Sequence, residues 1–156
     1  MKAILLQALA GTWFVVGSNF PMWLKGDKHN PTFNYTVVEK RGEEVLKDEV
    51  KYDKNVKQKV IAGTDHLNKE DKQTFTWRGK GLLFIAKSKW QVKLMDEHGQ
   101  WAVIYFSKTL FTPEGVDIIS RTPRLDSTTY ATIKERMSNN EILQKHVADI
   151  VAIPQP

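Results

Sequence analysis

The sequence predicts an all-β fold, a barrel or a sandwich, followed by one helix and a short last strand. Three observations carry that expectation. Short strand-like runs alternate with turn-rich gaps from about residue 12 to residue 121. The hydrophobic pattern then turns helical behind Asp126. No linker, repeat or low-complexity tract interrupts the 156 residues, so residues 1–156 are read as one domain with its own core.

The elements follow in order. Residues 1–10 carry one lysine, a short apolar run and small residues at 8 and 10, which is the outline of a secretion signal. The run is short and Gln7 interrupts it, so it is read as a turn packing Ile4, Leu5 and Leu9 beneath the fold, just before Trp13. The first strand is expected near 12–19 and the second near 32–40. Arg41-Gly42-Glu43 makes a tight turn into a third near 44–52. A fourth runs near 58–65, a fifth near 72–78 and a sixth near 87–95. Glu97-His98-Gly99 turns into a seventh near 100–107, and Glu114-Gly115 leads into an eighth near 116–121. Joined as an antiparallel up-and-down meander, eight strands would close into a barrel able to hold one small ligand. Asp126 is an N-cap for a helix over 127–137, with Ala131, Ile133, Lys134 and Met137 as its stripe. Asn139-Asn140 ends that helix, 141–147 has room for one or two more turns, and 149–153 returns to strand before Pro154.

Two motifs are read together. Gly11-Thr12-Trp13 opens the first strand, and Ser120-Arg121-Thr122-Pro123-Arg124-Leu125-Asp126 closes the eighth and leads to the helix cap. This pairing resembles the lipocalin family, and most closely its bacterial lipocalin and apolipoprotein D branch. The resemblance runs over most of the chain and implies an eight-stranded lipocalin-like (calycin) barrel with a C-terminal helix and a short final strand. It also implies that Arg121 lies over Trp13 at the closed end, as a structural pair. A guanidinium over an indole face is worth about 0.5–2 kcal/mol. The sequence departs from the family near the sixth turn. Thr-Asp-Tyr is common there, and this chain has Asp96-Glu97-His98-Gly99-Gln100-Trp101.

Strand side chains alternate between faces. If Trp13 points inward, so do Val15 and Gly17. On the second strand Phe33, Tyr35 and Val37 share a face, and on the fifth Phe75 and Trp77 do. On the sixth, Trp90, Val92 and Leu94 alternate with Lys89, Gln91 and Lys93. Both faces of the seventh are apolar, and comparison with family barrels places Ala102, Ile104 and Phe106 inside. Arg121 sets the parity of the eighth, which turns Ile119 and Asp117 inward. These side chains either line a pocket, mostly apolar with a few polar groups, or fill the barrel as core. An inward Asp117 is costly unless paired. It binds a ligand hydroxyl or amine, or it is satisfied by Tyr35, a lysine or a water.

The net charge is +5. In the meander the loops opposite Trp13 carry Lys25, Lys28, Lys51, Lys54, Lys57, Lys59, Arg78, Lys80, Lys87, Lys89 and Lys108. A basic mouth attracts anionic ligands. Beside it, Arg78-Gly79-Lys80-Gly81 precedes Leu82-Leu83-Phe84-Ile85, a pairing suited to peripheral contact with an anionic membrane or to folding back onto the barrel. Trp23 and Leu24 join that contact or close as a lid.

Other chemistry is missing. No apolar run nears the roughly 20 residues that span a bilayer as a helix. There is no cysteine, which removes disulfides and thiolate metal sites and is compatible with a reducing compartment. A cytoplasmic location is favoured, with the periplasm or secretion as the alternative if a signal precedes the sequence. His29, His66, His98 and His146 lack metal-ligand spacing and read as surface residues, with only His29 placed to meet a ligand. No nucleophile motif or phosphate loop is present, so no catalytic residue, metal or cofactor is assigned. The expected function is therefore non-catalytic binding and transport or sequestration of a small hydrophobic or amphiphilic ligand, such as a fatty acid or lysophospholipid. A lipocalin-shaped enzyme acting on a bound lipid or pigment is the alternative, with Asp117 and Tyr35 as acid and base. A nucleic-acid-binding barrel would need Trp77 and Trp90 on the surface, which the alternation of the sixth strand opposes.

Overall fold

The computed structural model describes residues 2–81, 87–110 and 112–156, with residues 2–4 as backbone only. Helix α1 (Lys2–Leu9) leads into β1 (Gly11–Ser18) and the one-turn α2 (Pro21–Leu24). Seven strands follow: β2 (His29–Lys40), β3 (Glu43–Lys54), β4 (Lys57–Leu67), β5 (Thr74–Gly79), β6 (Lys87–Met95), β7 (Trp101–Phe106) and β8 (Gly115–Ser120). Helix α3 (Ser127–Ser138), a 3-10 turn (Gln144–Asp149) and β9 (Val151–Ala152) complete the chain. Neighbouring strands run antiparallel in sequence order from β2 to β8, and β1 joins β8 to β2, so β1–β8 close as a barrel rather than a sandwich.

Element boundaries moved where side chains intervene. β5 begins at Thr74, not 72, because the Asp71 carboxylate accepts the N–H groups of Gln73 and Thr74 at 2.9 Å each and holds the turn. β2 begins at His29, which pairs with Asp53 across an irregularity before Thr32. Asp126 caps α3 by accepting from the Thr129 N–H at 2.7 Å. Ile133 and Met137 are its buried face, whereas Ala131 is exposed and Lys134 half-buried.

Two hydrophobic layers result. One fills the barrel, from Leu6, Leu9 and Trp13 up to Phe33, Tyr35, Phe75, Trp90 and Ile104. The other packs Val16, Trp101, Val103, Val116 and Ile118 on the outer face against Ile133, Met137 and Leu143. Ala102, Ile104 and Phe106 face inward on β7. Behind α3, Lys145 and His146 reach Glu114 at 2.6 and 3.6 Å, and the Tyr105 hydroxyl donates to the same carboxylate. His146 is thus buried rather than on the surface, with its Nδ1 2.9 Å from Asn19 Nδ2.

Two bulges overturn the simple alternation. Between Val15 and Gly17 the pairing of β1 with β8 shifts by a residue. Val16 then joins the outer layer, and Gly17 faces Ile118 and the Tyr130 hydroxyl rather than the interior. A second shift between Val92 and Leu94 places Leu94 in the outer layer and Met95 in the inner one. An inserted residue reverses the parity of everything after it.

The closed end is built around Trp13. Its ring is fully buried and its Nε1 donates to the Leu9 carbonyl at 2.8 Å. The Arg121 guanidinium lies 3.7 Å from the indole centroid, and donates to the carbonyls of Thr12 (3.2 Å) and Ala8 (2.9 Å). Gly11 is required twice over. Its φ of 104° disfavours any side chain, and a β-carbon there would sit 2.9 Å from Arg121 Nη1. Leu5, Leu6 and Leu9 of α1 seal the bottom, a two-turn helix where a turn was expected. Without the family's Thr-Asp-Tyr, the neighbouring turn closes through Asp96, whose carboxylate accepts the Gln100 N–H at 3.1 Å, and the Gln100 carbonyl accepts from the Arg121 N–H at 2.9 Å.

Arg121→Ala should lower the unfolding free energy by about 1–3 kcal/mol, through lost cation–π attraction and stem packing. Gly11→Ala should cost about 1 kcal/mol or more. Urea unfolding checks both, and two variants of unchanged midpoint would refute this account of the closed end.

Candidate ligand-binding site

At the end opposite Trp13 the barrel is hollow, with a cavity of about 260 Å³. Its walls are Phe33 and Tyr35 from β2, Asp48 and Val50 from β3, Ile61 from β4, Trp77 from β5, Ser88 and Trp90 from β6, Phe106 from β7 and Asp117 from β8. Phe20, Met22 and Trp23 cover it from the β1–β2 connection, and Lys87, Thr109 and Thr112 stand at the rim. Pro21 at the first helical position starts the turn that carries Trp23, which is buried against Tyr52 with ring centroids 5.8 Å apart. Trp23 therefore closes inward, while Leu24 stays exposed.

Of the residues expected to contact a ligand, Phe33, Tyr35, Trp77, Trp90, Phe106, Asp117 and Trp23 line this cavity. Val37, Phe75, Val92, Ile104 and Ile119 do not. They face the interior but belong to the layer packed with Trp13 beneath it, with Ile104 and Ile119 in the core and Val37 and Val92 against it. The separation has a physical cause. Trp90 stacks between Phe75, at 4.3 Å and 15°, and Tyr35, at 5.8 Å and 19°, forming an aromatic floor. His29 is exposed at the start of β2 and does not line the cavity. Trp77 and Trp90 face inward, which removes the surface a nucleic-acid-binding barrel would need. The segment Leu82-Leu83-Phe84-Ile85 lies outside the described residues.

The sequence reading missed the lid residues Phe20 and Met22, the small polar rim and, above all, two more interior carboxyls. Asp48 sits in phase with Leu46 and Val50, a signal the sequence contained. Asp65 pairs across the sheet with Leu46 and with Trp77, and nothing in its local pattern set it apart.

The interior is acidic and the rim basic. Asp48, Asp65 and Asp117 are all buried, among aromatic and aliphatic side chains. Burial pushes the Asp117 carboxyl up to about 7, opposed by hydrogen bonds from Ser18 and Trp23. Ser18 has its hydroxyl proton free for this, because its oxygen accepts from the Phe20 N–H at 2.9 Å. Asp117 Oδ1 itself has no hydrogen-bond partner. Burial also pushes Asp48 up to about 6, opposed by a hydrogen bond from Asp65 and reinforced by the nearby charge of Glu49. Asp65 is raised well above the carboxylate range by burial and by Asp48, against a hydrogen bond from Trp90 Nε1 at 2.9 Å. Like charge in a dry interior disfavours ionising both carboxyls, so the titration belongs to the pair rather than to either residue. Lys87 lines the cavity at its edge, and outside it Lys28 and Lys54 both reach Asp27 at 3.4 Å. Among the described residues no set of side chains is arranged to hold a metal ion.

Residues 4–149 match the family model for the lipocalin-like domain. No curated protein sequence matches closely enough to count as a relative. Solved structures do resemble the fold. Lobster apocrustacyanin A1 superposes with a TM-score of 0.70 at 13% identity, over 99% of this chain and 86% of that one. The siderocalin Ex-FABP gives 0.70 at 14% identity, over 96% and 95%. Insecticyanin from the tobacco hornworm Manduca sexta gives 0.72 at 12% identity, over 97% and 80%.

The buried carboxyls make stability depend on pH. Asp48 and Asp117 take up protons more readily folded than unfolded, so between about pH 4 and about 7 the native state holds more protons and stability falls as pH rises. For Asp117, the rise from 3.8 to about 7 amounts to roughly 4 kcal/mol at about 1.4 kcal/mol per unit. The native protein should therefore unfold at lower urea at pH 8 than at pH 5, and Asp117→Asn should remove much of the difference by gaining stability at pH 8. Equal midpoints at both pH values would show that the carboxyls are not buried as described.

Proposed function

The chain belongs to the lipocalin-like family, and from that premise we propose that it is a non-catalytic carrier that binds a small hydrophobic or amphiphilic ligand inside the barrel. The observation that carries this reading is the cavity itself, about 260 Å³ walled by aromatic and aliphatic side chains above a filled closed end. Packed interiors leave few voids larger than a water. A space of this size with a few polar groups is what a ligand site looks like. Burying about ten methylenes there would contribute about 8 kcal/mol, before the cost of ordering the ligand. Among the structural neighbours, the siderocalin Ex-FABP functions through dual ligand specificities, which accords with a ligand-holding role for this barrel.

The head group is where two features oppose each other. A fatty acid or lysophospholipid suits the rim, with its anionic end beside Lys87 and its tail inside. The same lysines support peripheral contact with an anionic membrane at the mouth. The interior carboxyls oppose any anion entering head first. Catalysis is less well served. Acid–base work needs a second group beside Asp117, and its candidate partner, the Tyr35 phenol, is raised well above its usual value by burial and by Asp48, Asp65 and Asp117, which makes it a poor proton donor.

Intrinsic tryptophan fluorescence should respond saturably when a ligand enters, because Trp23, Trp77 and Trp90 all line the cavity. Val50→Trp should fill the space and weaken binding about tenfold or more while costing about 1–3 kcal/mol of stability. A panel of fatty acids, lysolipids, retinoids and porphyrins that gave no saturable change at tens of micromolar would sink the carrier reading.

A further inference from the structure

We propose that the cavity selects ligands that bury a protonated amine, held at Asp117 and at the Asp48–Asp65 carboxyl pair, with an apolar body against the aromatic walls. This deepens the carrier reading and rests on it: the site is the same cavity, and the inference names the group the ligand places inside.

The polar groups of the interior have one sign. Asp117 is 2% exposed, Asp48 5% and Asp65 fully buried, and Asp48 and Asp117 line the cavity. Lys87, the cation of the lining, is exposed at the rim. Asp65 has a donor in Trp90 at one oxygen, and the neighbouring Asp48 carboxyl disfavours its ionisation. Asp117 Oδ1, like Asp48 Oδ1 and Asp65 Oδ2, is buried with no donor, and Asp117 and Asp48 stand at the cavity wall. A buried acceptor left without a donor is destabilising, and a ligand that brings one removes that cost.

The chemistry of the missing donor follows from its surroundings. A hydroxyl brings one proton and no charge. An ammonium brings up to three N–H donors and the positive charge that two neighbouring acidic sites lack. A carboxylate in the same place would meet like charge in a medium that screens poorly.

Three ten-carbon probes test the idea: decylamine, decanol and decanoate, titrated calorimetrically into the full chain at neutral pH. Decylamine should bind at least tenfold tighter than decanol, and decanoate more weakly than decanol. Asp117→Asn and Asp48→Asn keep the side-chain shape and remove the charge. Each should cut decylamine affinity at least tenfold and leave decanol within about twofold, and unchanged decanol binding shows that the cavity is intact. Decanoate binding as tightly as decylamine would overturn the proposal while leaving the carrier reading standing, with the rim lysines as the head-group site. An amine preference that survives in both variants would overturn it too. No saturable binding by any of the three would overturn both readings.

Discussion

Closure of the barrel through β1 is the constraint on which the rest depends. This one strand must hydrogen-bond to β2 and β8 together, and no other strand among the described residues does so. Its first half, Gly11–Phe14, lies against β2, and from Phe14 onward the strand pairs with β8. Its second half leaves β2, takes the bulge at Val15 and Gly17, and pairs with β9 instead. The bulge exposes backbone acceptors that must find donors. The C-terminal segment supplies them: the Ile153 N–H reaches the Val16 carbonyl at 2.9 Å, and Gln155 Nε2 reaches the carbonyls of Val15 and Pro31 at 2.8 and 3.0 Å. The last residues of the chain thus complete the seam made by the first strand.

The same bulge shapes the site. Without it Gly17 would face inward and Ser18 outward. With it, Gly17 turns to α3 and Ser18 comes opposite Asp117, where its hydroxyl steadies the carboxyl. Closure at the bottom and acidity at the top are separated by the aromatic floor of Tyr35, Trp90 and Phe75. Trp90 serves both sides, stacking in the floor and donating to Asp65. Sites of this kind carry a tension. Buried carboxyls weaken the fold, and the compact packing around Trp13 offsets that weakness.

Much of the fold was legible. The alternation of apolar and polar residues marked eight strands, because a half-buried strand imposes a two-residue period. Gly11-Thr12-Trp13 and Arg121 pointed to the closed end through their resemblance to the family's motifs, and the guanidinium does lie over the indole. The site was legible only in part. Phe33, Tyr35, Trp77, Trp90, Phe106 and Asp117 line the cavity, while Phe75, Val92, Ile104, Ile119 and Val37 share their orientation but lie deeper. Periodicity reports which way a side chain points and carries no information about height along the barrel axis. That height depends on strand register across the sheet, which is a long-range property.

By itself the sequence determined the class of the fold, the order of its elements, the inward faces between bulges and the excess of base over acid. Tertiary structure decided where those faces meet. It brought Asp48, Asp65 and Asp117, far apart in the chain, to one interior, and left Lys87 at the rim. It also decided where alternation fails, at Val16 and near Lys93, because a bulge is set by the fit of neighbouring strands rather than by the residue that bulges. Charge summed along a chain is a local count, whereas the sign of a cavity is fixed by which few side chains the closed sheet turns inward.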